Sequence, residues 1–112
     1  MTDILKTILL QMDTTHNYTG FPPLVVTVSR YLEDPQRIFS VEKELYAPAA
    51  AQCGCPTSHV ERNIRTIIQH AWKKNPRKVR ELARCELSTY PTVSEFIELL
   101  ALEAQKYLPP TA

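Results

Sequence analysis

A chain of 112 residues with 13 Lys+Arg, 12 Asp+Glu and 44% hydrophobic residues is sized for one globular domain and leaves no room for a second catalytic or regulatory module. Charged residues make up 22%, which excludes a disordered or fibrous chain, and no apolar run approaches the ~18 residues that span a bilayer. Nine prolines against two glycines favour helices punctuated by prolines over tight hairpins, so the expected class is all-α, a single-domain bundle of about six helices. Three cysteines, an odd number, do not make a disulfide framework, and Asp3 argues against a signal peptide; the expected compartment is the reducing cytoplasm.

Residues 3–12 place Ile4, Leu5, Ile8, Leu9 and Met12 at helical spacing, with Thr2 as the cap. Asp13 to Pro23 reads as a loop, with Thr14, Thr15, Asn17, Gly20 and two prolines. Leu24–Val28 is β-branched enough for a strand, but its helical neighbours and the Ser29–Asp34 continuation favour helix over 24–32. Residues 38–53 are apolar and alanine-rich up to Gly54, with Pro48 either kinking the stretch or opening a second short helix. The longest periodic segment runs from Thr57 to about Trp72, and Ser58-x-x-Glu61 at its start has the capping-box pattern. Lys73-Lys74-Asn75-Pro76 stops it, because the residue before a proline disfavours the helical region. A short helix over 77–87, a turn over Ser88–Pro91 and a last helix complete the chain. That helix opens at Thr92-x-x-Glu95 and runs to about Leu108, before Pro109-Pro110.

Charge is unevenly spread along this order. Residues 57–84 hold eight basic and two acidic side chains, whereas 1–56 hold four against six and 85–112 one against four. A basic block between acidic flanks offers an anion a local site on a near-neutral molecule; it is also what a solvated helix face looks like. In the 57–72 helix Val60, Ile64, Ile67, Ile68 and Ala71 share one stripe. Ser58, Arg62, Arg65, Thr66 and Gln69 fall opposite, with His59, Glu61 and Asn63 at the margins. Guanidinium, hydroxyl, amide and carboxylate groups on one face can match the donors and acceptors of base edges. The alanine-rich Ala47–Gln52 helix and Gly54 just upstream complete the order helix, tight turn, helix.

Thr57-Ser58-His59-Val60-Glu61-Arg62-Asn63-Ile64-Arg65, followed by Ile68-Gln69-His70-Ala71-Trp72, closely resembles the recognition helix of the sporulation-initiation response regulators, the stage 0 sporulation protein A family. Glu44-Leu45-Tyr46 and Pro91-Thr92-x-Ser94-Glu95-Phe96-Ile97 fit the same family, and the likeness is to its C-terminal effector domain. It is strong over 40–100 and weak over 1–35. The resemblance implies a DNA-binding transcription regulator that docks its recognition helix, about 57–72, on a double-stranded promoter box, as a homodimer on tandem sites. Ser58, His59, Glu61, Arg62 and Arg65 occupy the base-reading positions, with Glu61 either accepting from a cytosine or orienting Arg62. Lys73, Lys74, Arg77 and Lys78 stand where phosphates would be neutralised, and residues 77–90 where the family meets the polymerase sigma subunit.

Three departures from the family pattern matter. Histidine stands at position 59 in place of the usual arginine, a shorter side chain without a permanent charge. The stretch 73–78 is richer in charge than the pattern. The family joins this domain to a phosphoacceptor receiver, and no receiver domain is encoded here; the chain reads as either a cut-out effector domain or a free-standing relative. The competing function is a non-catalytic protein-interaction module of the same fold, acting on a partner regulator without touching DNA.

Other signals are weak. Cys53-x-Cys55 with His59 lacks the two-knuckle spacing of structural zinc, so neither a metal nor another cofactor is expected. Cys85 and Trp72 read as packing residues. His16 and His70 have no partner at catalytic spacing, so the chain is not expected to be an enzyme. The last helix is apolar on more than one face, which leaves a surplus for a subunit contact.

Overall fold

The computed structural model describes residues 1–108, and the Pro109-Pro110 stop lies outside them. Among the described residues there are six α-helices and no strand: α1 (Thr2–Gln11), α2 (Phe21–Glu33), α3 (Ala47–Cys53), α4 (Thr57–Lys74), α5 (Pro76–Ala83) and α6 (Val93–Ala104). A 3-10 helix (Pro35–Ser40) and a π segment (Glu42–Tyr46) join α2 to α3, and a short 3-10 turn (Gln105–Tyr107) ends the described chain. The Cα radius of gyration, 13.1 Å, equals the ~13 Å of a single folded unit of this length.

α2 lies at the centre, packed on α3, α4 and α6, while α1 closes α6 from outside. Leu24 and Val28 of α2 are fully buried, as are Phe96, Ile97 and Leu100 of α6 and Leu5, Ile8 and Leu9 of α1. Each completely buried side chain of this size stabilises the fold by ~1.5–3 kcal/mol relative to exposure. The β-branched run 24–28 is helical, because its i, i+4 pair Leu24 and Val28 faces this core.

Several boundaries move from the sequence reading. α2 begins at Phe21, since Pro22 and Pro23 fit its first turn, where a missing N–H costs nothing. Met1, not Thr2, is the N-cap of α1. The stretch 38–53 divides into 3-10, π and α portions, and Pro48 sits in the first turn of α3. α5 stops at Ala83 because Arg84 turns left-handed (φ 58°). That puts Cys85 outside the helix and in solvent, so the expectation of a core cysteine is corrected.

Candidate nucleic-acid interface

The approach to α4 is set by a turn. Gly54 closes α3 at φ 66°, a conformation that costs an L-residue ~1–2 kcal/mol. Cys55 N–H then reaches back to the Ala50 carbonyl at 3.1 Å, the 6→1 bond of a Schellman turn. Extended Pro56 is the N-cap of α4, which places Ser58 inside the helix as its second residue. The Ser58–Glu61 capping box therefore does not form, and no side chain caps α4. Glu61 instead makes an i, i+4 ion pair with Arg65, so it orients that arginine and not Arg62.

Val60, Ile64, Ile67, Ile68 and Ala71 are all fully buried. Ser58, Arg62, Arg65, Thr66 and Gln69 are exposed on the opposite face, with His59, Glu61 and Asn63 half-buried at its edges. At ~1.5 Å per residue, Ser58 to Arg65 covers about 10 Å of the helix axis and Lys74 lies about 24 Å from Ser58. Groups able to pair with bases thus cluster at the start of α4 and simple cations at its end.

The basic block is partly self-neutralised. Arg77 pairs with Glu81 at 3.2 Å and Lys78 lies 3.6 Å from the Asp13 carboxylate. The Arg80 guanidinium sits 4.8 Å from the centre of the Trp72 ring, and its Nε donates to the Leu87 carbonyl at 2.9 Å. Trp72 is therefore a half-buried platform for Arg80. Arg62, Lys73, Lys74 and Arg84 have no ion-pair partner among the described residues.

Two loops brace α4 from either side, and neither contact is visible in the sequence. On one flank Gly20 lies so close that a Cβ there would stand 2.5 Å from the Asn63 carbonyl oxygen. Further along, Thr14 Oγ1 is 3.4 Å from His70 Nδ1, and Asn75 Nδ2 donates to Asp13 at 2.8 Å. On the other flank Gln69 Nε2 donates to the Tyr90 hydroxyl at 3.0 Å, beside a groove of about 650 Å³ lined by Tyr46, Glu61, Arg65, Tyr90 and Ser94. Burial pushes the Tyr46 phenol above its ordinary range in that groove. Among the described residues no three His, Cys, Asp or Glu side chains converge on a metal position, and no helix is long and apolar enough to cross a membrane.

A compact helix, a left-handed glycine turn and a helix with a guanidinium-rich outer face define a helix-turn-helix domain. The model of the family described as Sporulation initiation factor Spo0A C terminal matches residues 5–104, and the chain belongs to that family. The protein is thus of the class of DNA-binding effector domains of sporulation transcription regulators, and the match takes in α1 and α2, where the resemblance by motif was weak. No curated protein gives a match to the chain.

Proposed function

We propose that the chain is a sequence-specific regulator of transcription whose α4 enters the major groove of a promoter box. Ser58, His59, Glu61, Arg62 and Arg65 read base edges there; Lys73, Lys74, Arg77 and Lys78 neutralise phosphates. The observation that carries this reading is the two-sidedness of α4, whose five apolar stripe residues are wholly buried while Ser58, Arg62 and Arg65 stand in solvent beyond the Gly54 turn. Arg62, free of any carboxylate among the described residues, can present its fork to a guanine. Arg65 has to exchange Glu61 for DNA, and Lys78 has to exchange Asp13, which ranks them behind Arg62 and Lys74. Tandem docking of two copies, a sigma-subunit contact over 77–90 and a cytoplasmic location belong to the same proposal.

The test is binding to duplex DNA across salt. With ~4 phosphates neutralised, log K falls against log salt with a slope near −3.6. Indifference to duplex DNA at low salt overturns the proposal and favours the module that acts through a protein partner.

A further inference from the structure

Gln69, on the outer face of α4, is held by a residue of the loop between α5 and α6. Its Nε2 donates to the Tyr90 hydroxyl at 3.0 Å, across 21 residues of chain. Tyr90 is itself fixed, half-buried against the core. Its loop is tied on one side by the Arg80 Nε to Leu87 carbonyl bond at 2.9 Å. On the other side the Thr92–Glu95 capping box pins the start of α6.

We propose that Gln69 reads an adenine in the DNA site and that Tyr90 is the positioning residue that presents it, an inference that rests on the DNA-reading function proposed above. A glutamine amide has two N–H donors and one carbonyl acceptor. Tyr90 engages one donor, and the remaining N–H and Oε1 form the adjacent donor–acceptor pair that matches adenine N7 and N6–H₂ in the major groove. Gln69 lies seven residues beyond Arg62, two turns along the same face and about 10 Å further on. At ~3.4 Å per base step this places its target about three base pairs from that of Arg62. A flexible amide loses rotamer freedom when it binds; an amide already held by Tyr90 loses less, so the same contact gives more discrimination.

The experiment selects a preferred duplex from a randomised library with the full chain, then measures binding to duplexes changed one base pair at a time. One A·T pair, about three steps from the pair read by Arg62, is expected to be discriminated about 5- to 140-fold by the unaltered chain. Gln69→Ala abolishes the preference at that pair alone. Gln69→Glu, the same shape without N–H donors, moves it towards cytosine, whose amino group a carboxylate accepts. Tyr90→Phe weakens the preference at that same pair and leaves the other positions as they were, which a loss of stability, acting on all duplexes alike, does not do. A Gln69→Ala profile identical to that of the unaltered chain overturns the inference while leaving the DNA reading intact. An unchanged profile in Tyr90→Phe overturns the positioning role. A library that yields no preferred duplex overturns the DNA reading and this inference with it.

Discussion

Arg30 Nε donates to the backbone carbonyl of Glu44 at 2.7 Å, a hydrogen bond from α2 to the segment that leads into α3. In an α-helix that carbonyl receives the N–H of residue 48, and Pro48 has none. The ladder also widens just upstream, where Ala47 N–H bonds the Glu42 carbonyl five residues back. Arg30 is doubly committed, with Nη2 lying 3.8 Å from the Glu44 carboxylate. α3 and the Gly54 turn follow directly on this segment, so the placement of α4 depends on an arginine of α2.

Arg30→Leu keeps the aliphatic packing but strands the Glu44 carbonyl, and is expected to cost about 1–3 kcal/mol. In a Pro48→Ala background residue 48 regains its N–H, and the cost of losing Arg30 should shrink. Urea unfolding of the two single variants and the double variant measures the difference. Strict additivity would mean that the arginine is not replacing the missing donor.

The two glycines of the chain should respond differently to alanine. Gly54 has open space around its Cα but a left-handed backbone, so Gly54→Ala is expected to cost about 1–2 kcal/mol and to leave the fold unchanged. Gly20→Ala forces a methyl to within 2.5 Å of the Asn63 backbone, which no rotamer change relieves. The loop must back away from α4, at a cost of about 1–3 kcal/mol or more. Amide-exchange rates separate the two, since only Gly20→Ala should loosen protection over 60–66.

Local pattern made much of α4 legible. A 3.6-residue stripe needs no knowledge of what covers it, and all five of its residues are fully buried. Capping was legible only once. Thr92 forms its box with Glu95, whereas Ser58, in the same pattern, is overruled by Pro56 and the Schellman bond that starts the helix two residues earlier. The contacts that brace the interface were not legible at all. Asp13–Asn75 and Gln69–Tyr90 join residues 62 and 21 positions apart, and no periodicity or spacing encodes a contact made by tertiary packing. The exposure of Cys85 has no signal in the sequence, since it follows from Arg84 ending α5 in a left-handed turn.

Asp13 links acid stability to the basic block. The Asn75 hydrogen bond, followed by the charges of Lys78 and Lys74, holds its carboxyl below the ordinary value near 3.8. A lowered carboxyl favours the ionised form in the fold, so its stabilisation is present above that ordinary value and is lost as pH falls through the folded one. Asp13→Asn should therefore melt below the unaltered chain at pH 7, with the gap narrowing towards pH 3. The same substitution releases Lys78. Lys78 then reaches a phosphate without giving up a carboxylate, so DNA binding should tighten at every salt concentration while the salt slope keeps its value. Binding no tighter than that of the unaltered chain would remove Lys78 from the set of phosphate contacts.

Arg62 and Lys74 lie about 18 Å apart on α4 and should fail in different ways. Both are exposed and without an ion-pair partner among the described residues, so neither substitution strands a buried charge or opens a cavity. Arg62 carries a planar fork near the start of the helix, which the proposed docking sets against base edges. Arg62→Ala should cost ~1–3 kcal/mol on the preferred duplex and little on a random one, flattening sequence preference. Lys74 is a point charge in the last turn, and the proposed docking sets it against a backbone phosphate. Lys74→Ala should weaken preferred and random duplexes by the same factor and make the salt slope shallower by ~0.9. Titrating both duplexes with both variants at two salt concentrations separates the roles. If Lys74→Ala flattens preference while Arg62→Ala weakens both duplexes equally, α4 enters the groove by its other end and the assignment of its two halves reverses.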